Sequence, residues 1–276
     1  MTAPLLLALA ASLAWGVGDF VGPLLSRVEG VLPVLFWAQI GGCLSIVVAA
    51  LVHDEGPKSA AVLYASAAAV GGMVGLFAYY RGMVVGAMSV VAPVAGVSAV
   101  IPVLYGIATG DSPSTAQLAG TACALVGVGL ASIEHQEGRR RVAAGVGLAL
   151  LAACGFGFYF PWMHAAGKVD FWWASVVFRT TCLLLVLAVV AARRAPVRLS
   201  RRTATIAAAV GIVDTLGNAC FAASSRHGLV SLTSVLASLY PIVTVLLAAA
   251  FLHERIAPLQ RAGVALTLTG VVLIGF

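Results

Sequence analysis

Long apolar runs alternate with short polar breaks along the chain, and no other feature constrains its fold as much. Ten runs can be marked, at roughly 4–25, 31–52, 60–80, 87–109, 114–133, 142–163, 171–192, 203–223, 228–252 and 259–276. A helix advances about 1.5 Å per residue, so about 20 apolar residues cross a bilayer. Backbone amides cannot stay unpaired in hydrocarbon, so spanning segments are helices or strands of a closed barrel. These runs lack the alternating pattern of barrel strands, which leaves helices. The breaks, such as HDEGPK at 53–58, TGDSPS at 109–114, EHQEGRRR at 134–141 and RRAPVRLSRR at 193–202, leave no room for a soluble domain. Composition agrees: 61% of the 276 residues are hydrophobic, 9% are charged, and the mean hydropathy is +1.05. A soluble domain carries about 25% charged residues. A water-soluble enzyme and a disordered chain are both excluded. The first run has no basic residue before it, so it reads as a retained transmembrane helix and not as a signal peptide.

The formal net charge is +6, but the basic residues sit in clusters between apolar runs, at Arg139–Arg141 and at Arg193, Arg194, Arg198, Arg201 and Arg202. That placement points to topology and lipid headgroups, with no nucleic-acid partner. Breaks after the odd-numbered runs hold 12 of the 16 Lys and Arg residues; those after the even-numbered runs hold three, Lys58, Lys168 and Arg226. The positive-inside rule then puts both termini outside. The five cysteines lie in apolar runs without a C-x-x-C spacing, and no two histidines form H-x-x-x-H, so neither a disulfide framework nor a metal site is expected.

The chain also repeats itself. DSPSTAQLAGTACALVGVGL at 111–130 aligns with ERIAPLQRAGVALTLTGVVL at 254–273, placing Asp111 on Glu254, Gln117 on Gln260, Gly120 on Gly263 and Gly127 on Gly270 at an offset of 143. ALAASLAWG at 8–16 aligns with ALLAACGFG at 149–157 at an offset of 141, and GAMS at 86–89 with GLVS at 228–231 at an offset of 142. The sequence therefore divides into a first five-helix unit at 1–133, a linker at 134–141 and a second unit at 142–276. Five is odd, so the second unit enters the membrane inverted. Inverted repeats mark secondary transporters, whose substrate site lies near the midplane between the repeats. The fold class read from the sequence is all-α integral membrane, with ten transmembrane helices as two inverted five-helix repeats around a central cavity.

Ala14-Trp15-Gly16 in the first run, Leu252-His253-Glu254 followed by Gln260 and Gly263, and the Gly270–Leu273 run resemble the EamA family of the drug/metabolite transporter superfamily. Asp111 stands where that pattern usually has Glu. The resemblance implies two inverted five-helix repeats, a central cavity, and export or exchange of small metabolites, amino acids among them. It also implies both termini in the cytoplasm, against the charge rule. The protein is expected as a multi-pass component of a plasma (inner) membrane.

Ionisable residues inside a helix are expensive and are functional candidates. Arg179 lies about 13 residues, and Asp214 about 11, from the 193–202 break on consecutive helices, so the two are level and can pair. That pair has a purely structural alternative role in packing. Asn218 is one turn beyond Asp214 on the same face. Asp19 and Gln39 lie at matching depth on the first two helices, and the repeat match of Asp19 is Phe160. With Arg179 spoken for, Asp19 has no intramembrane cation and is a candidate for exchanging a proton; a hydrated helix-end carboxylate is the alternative. Trp15, its match Phe156, Tyr159, Trp162 and Tyr240 are candidate cavity rings suited to apolar or cationic cargo. Tyr79, Tyr80 and Arg81 read as an interfacial anchor. Pro93, Pro102, Pro161 and Pro241 can free backbone carbonyls, and Asp111 and Glu254 read as loop anchors.

The sequence has no G-x-S-x-G and no P-loop, so no enzyme activity, ATP drive or cofactor is expected. The function expected is a secondary transporter of small metabolites, amino acids or related compounds, exporting by alternating access. A multidrug cation/proton antiporter is the alternative, and a non-transporting membrane partner subunit a weaker one. The expected partners are a small-molecule substrate, the lipid bilayer and protons.

Overall fold

The computed structural model describes residues 2–50, 56, 58–85, 91, 95–131, 139–251 and 258–275. The described residues form helices α1 (Thr2–Glu29), α2 (Val31–Ala50), α3 (Ser59–Val85), a 3-10 turn (Val97–Ala99) running into α4 (Val100–Ala108), and α5 (Thr115–Ala131). They continue as α6 (Arg139–Arg193), α7 (Arg201–Ser224), α8 (Val230–Ala237), α9 (Tyr240–Phe251) and α10 (Pro258–Gly275). Five helices, α1, α2, α3, α6 and α7, are long and apolar enough to cross a membrane. Their outward faces carry side chains such as Leu6, Leu13, Leu44, Leu63, Leu150, Leu184 and Leu216. A soluble monomer does not expose so much contiguous apolar surface.

The runs at 142–163 and 171–192 are two helices, as expected; they meet directly at Asp170, whose backbone is extended (φ −166°, ψ 106°), and are labelled together as α6. The Asp170 carboxylate accepts from the amides of Trp172 (3.0 Å) and Trp173 (3.1 Å), capping the second arm (171–193) as the first arm (139–169) ends. Three expectations are revised. The run at 228–252 is two helices, broken at Ser238–Leu239 just ahead of Pro241. Proline has no N–H to give, and its ring disfavours helix in the residue before it. The run at 87–109 passes through 3-10 geometry at Val97–Ala99. Finally, Tyr79 and Tyr80 are buried and do not sit at an interface, because α3 runs on past Arg81 to Val85. Pro93, Gly86 and the Leu252–Glu254 motif lie outside the described residues.

Helix pairing is close because small residues meet. α3 packs on α6, α1 and α2 on α7, α4 on α8, and α5 on α10. A Cβ added to Gly155 would lie 2.6 Å from the carbonyl of Gly71, so α6 and α3 touch backbone to backbone. A Cβ at Gly120 would lie 2.7 Å from the Gly270 carbonyl, and one at Gly127 2.7 Å from the Gly263 carbonyl. Small-residue contact of this kind replaces the hydrophobic drive that lipid removes. At the α1–α2 turn, Gly30 adopts φ +87°, a left-handed conformation open to glycine at little cost.

Two apolar layers result. One holds Met163, Phe160, Phe221, Ala222, Leu232 and Leu236. The other holds Val34, Leu35, Tyr79, Tyr80, Met83 and Tyr240.

Candidate functional site: the central cavity

The centre of the bundle holds a partly open cavity of about 60 Å³. Each long helix lines it with one stripe at helical spacing. α1 gives Trp15 and Asp19; α2 gives Gln39; α3 gives Gly72, Met73 and Leu76. The first arm of α6 gives Phe156, Tyr159 and Phe160, and the second arm Phe178, Arg179 and Cys182. α7 gives Asp214 and Asn218, and the break before Pro241 brings Tyr240 to the wall.

Arg179 is 1% exposed and organises one side. Its Nη2 donates to Asp214 Oδ2 at 2.5 Å, and its Nη1 donates to Gln39 Oε1 at 2.8 Å. Gln39 Nε2 in turn donates to the Met73 sulfur at 3.4 Å. Asn218 Nδ2 donates to Asp214 Oδ2 (3.2 Å) and to the Asp214 carbonyl (2.7 Å), and Tyr159 Oη donates to Asn218 Oδ1 at 2.8 Å. A buried guanidinium is tolerable only with an opposite charge and filled hydrogen bonds. Arg179 has both, except that its Nε has no partner among the described residues. The network runs from Met73 of α3 through α2 and the second arm of α6 to α7 and back to the first arm. It therefore spans both halves of the chain.

Asp19 is different. It is buried, with 8% of its surface exposed, and makes no hydrogen bond or ion pair among the described residues. Two carboxylates, Asp19 and Asp214, and one guanidinium, Arg179, thus line the cavity. The Asp19 carboxylate lies in electrostatic range of the phenols Tyr79, Tyr80 and Tyr240.

The rings form two groups around the cavity wall. Trp15 meets Tyr159, Phe160 and Phe221 at centroid distances of 5.9, 6.0 and 6.1 Å. Tyr79, Phe156 and Tyr240 form a second group, mutually edge-to-face at 5.9–6.3 Å. Such pairs are favourable beyond the area they bury.

Of the residues expected from sequence, Trp15, Asp19, Gln39, Tyr159, Arg179, Asp214, Asn218 and Tyr240 line this one cavity. Trp162 does not: it packs against Tyr64 (5.8 Å) and Phe158 (5.7 Å), because residues 158 and 162 share a helix face away from the stripe at 156, 159 and 160. Gly72, Met73, Leu76, Phe178 and Cys182 also line the wall and had no sequence signal of their own. The repeat would have found two of them. At an offset of 142, Gly72 matches Asp214 and Leu76 matches Asn218; at 141, Trp15 matches Phe156 and Asp19 matches Phe160. No group of three His, Cys, Asp or Glu residues able to hold a metal occurs among the described residues.

Comparison with known proteins places this architecture. A solved crystal structure is similar over 99% of this chain and 98% of its own, with a TM-score of 0.78 and 18% sequence identity, which is a likeness of fold. No curated protein matches the chain. The model of the EamA-like transporter family matches residues 2–133 and residues 143–276, nearly the whole length. The chain belongs to the EamA-like transporter family and is a multi-pass membrane transporter of small molecules, of the secondary kind and not an enzyme.

Proposed function

We propose that this transporter exports small ammonium-bearing metabolites, amino acids and related compounds among them, by alternating access, in exchange for a proton carried on Asp19. The observation that carries this reading is the charge imbalance of the cavity: two carboxylates against one guanidinium, with the guanidinium already held by Asp214 and Gln39. A carboxylate out of water needs a counter-ion or a proton. When the ammonium group of the cargo arrives at Asp19 it displaces the proton, and after release the proton returns. The titratable groups near enough to feel the charge of Asp19 are the phenols of Tyr79 and Tyr80 on α3 and Tyr240 on α9, together with Asp214 on α7. Exchange of one proton for a monocationic amine is electroneutral, whereas exchange for a zwitterionic amino acid moves one net charge.

In this reading the chain comprises two inverted five-helix repeats, 1–133 and 142–276, joined by the linker 134–141. Support comes from contacts that recur at the repeat offsets. A Cβ at Gly75 would lie 2.6 Å from Phe156, and a Cβ at its counterpart Gly217 would lie 2.6 Å from Trp15, the counterpart of Phe156. Gly16 closes on Val243, and its counterpart Gly157 on Ile101. A two-fold relation through the cavity accounts for both pairs, and rocking of one repeat on the other would open the two ring clusters in turn.

The test is solute flux in proteoliposomes, with and without a pH gradient, supplying amino acids and organic cations. Wild type is expected to move an ammonium-bearing solute faster with the gradient, and Asp19→Asn to lose that dependence. Flux indifferent to both the gradient and the substitution would overturn proton coupling at Asp19. A second reading, multidrug cation/proton antiport, is favoured by the six rings of the wall, since aromatic faces accept bulky cations. Saturable flux of large aromatic cations with no flux of amino acids would select it.

A further inference from the structure

The segment that joins α6 to α7 is fastened along its length. α6 ends where Arg194 turns to φ +47° and the amide of Ala195 donates to the carbonyl of Val190 at 3.1 Å, a bond that closes the last helical turn. Side chains then alternate: Ala195, Val197 and Leu199 are half-buried, while Pro196, Arg198 and Ser200 are exposed. The indole N–H of Trp37 on α2 donates to the carbonyl of Val197 at 2.8 Å, and Leu199 packs against the layer that holds Leu35 and Tyr79. Ser200 caps α7, its hydroxyl accepting from the amide of Thr203 at 3.1 Å. The segment is thus tied to α2, α6 and α7, the helices that carry Gln39, Arg179 and Asp214.

What it presents outward is positive. Arg193, Arg194, Arg198, Arg201 and Arg202 are all exposed, and none makes a side-chain hydrogen bond or an ion pair among the described residues. No acidic residue occurs between Asp170 and Asp214. Just beyond the arginines the outer surface turns apolar. On α7, Arg202 shares a face with Ile206 one turn on, and that face continues through the exposed Ala209 to the exposed Ile212 and Leu216. On α6, Arg193 lies one turn past the exposed Val189. Uncompensated guanidinium groups therefore stand at the edge of a surface made for lipid.

We infer that this segment is a site for an anionic phospholipid, its phosphate held by Arg198, Arg201 and Arg202 and an acyl chain lying on the Ile206–Leu216 face of α7. Such a site is independent of the cargo and of coupling at Asp19. A guanidinium offers paired N–H donors to phosphate oxygens and is weakly hydrated, which suits a headgroup at the bilayer edge. A zwitterionic headgroup has the same phosphate but brings its own cation. A soluble phosphate has no chain to lay on Ile206. Only a lipid of net negative charge matches both parts of the surface. The backbone that presents the arginines is already ordered, so binding has only side chains to order.

The test is binding of dioleoyl phosphatidylglycerol and dioleoyl phosphatidylcholine to the full chain in detergent, read as lipid-bound species in native mass spectra and as Tm. Wild type is expected to bind phosphatidylglycerol about tenfold or more tightly, the worth of one charge-assisted hydrogen bond, and to gain Tm with it and not with phosphatidylcholine. In Arg198→Gln/Arg201→Gln/Arg202→Gln the ratio is expected to fall toward unity. Its Tm in phosphatidylcholine should stay at the wild-type value, because the three side chains are exposed and unpaired. Arg139→Gln/Arg140→Gln/Arg141→Gln removes the same charge elsewhere and is expected to keep the preference. Equal binding of the two lipids by wild type overturns the site. An equal loss in the 139–141 variant overturns it too, since attraction by net charge then explains the preference. If glycerophosphoglycerol, the same headgroup without chains, raises Tm as much as the lipid does, the surface takes a soluble phosphate and the lipid assignment falls.

Discussion

Gly75 and Gly217 each lie under a large ring of the other half of the chain, Phe156 and Trp15. Asp19 and Phe160 also occupy matching positions, yet one is a buried carboxylate and the other packs among rings. The same contrast separates Asp214 from Gly72 and Asn218 from Leu76. The halves agree where a backbone or ring must fit against its neighbour, and differ where a side chain meets the cavity. A close contact between helices has few solutions, so both halves keep the same one. A cavity wall has no such constraint, so its polar groups differ between matched positions.

The largest expected effect tests that division at Asp19. Asp19→Asn is expected to abolish the gradient dependence of flux while leaving thermal stability in detergent unchanged or higher, because the carboxylate has no partner to lose. A marked drop in Tm would make Asp19 a packing residue like its matched positions. Arg179→Met is expected to do the reverse and destabilise the fold by ~3 kcal/mol, since it strands Asp214 without its cation. Arg179→Met with Asp214→Leu should recover most of that loss, read as Tm and as monodisperse yield. Failure to recover would mean that Gln39 and Asn218 are held by Arg179 itself.

Next comes the shared part of the comparison. Gly155→Val is expected to cost about 2 kcal/mol by overpacking against Gly71 and Gly75, whose backbones leave no room to give. Gly129→Ala, where an added Cβ would meet nothing within 4 Å, is expected to leave Tm unchanged. Equal effects at the two sites would break the claim that backbone contact, and not glycine as such, is what the halves share. The smallest effect is expected from Tyr159→Phe, which removes one hydrogen bond to Asn218 and costs about 1 kcal/mol. Its flux should keep its gradient dependence, which separates the Arg179 network from the Asp19 end.

Much of this arrangement was legible in residue order. The Arg179–Asp214 pair follows from two charges at equal depth on consecutive helices, since each would be prohibitive alone in lipid. The matched segments pointed to a cavity between halves. Other features were not legible. Tyr79 and Tyr80 beside Arg81 have the composition of an interfacial anchor, and only the continuation of α3 to Val85 places them inside. Trp162 was a candidate cavity ring by residue type, yet its face belongs with Phe158. Gln39 was level with Asp19, but its amide is taken by Arg179 and Met73.

The sequence by itself determined that the chain lives in a bilayer as helices, that its halves are related, and that a few ionisable groups must lie inside. Each of these follows from hydropathy, which acts residue by residue along the chain. Tertiary structure decided which groups share a cavity and which carboxylate is paired with Arg179. Those depend on helix rotation and on where a helix breaks, as at Ser238–Leu239 before Pro241, and a change of about 100° per residue sends neighbouring side chains to different neighbours.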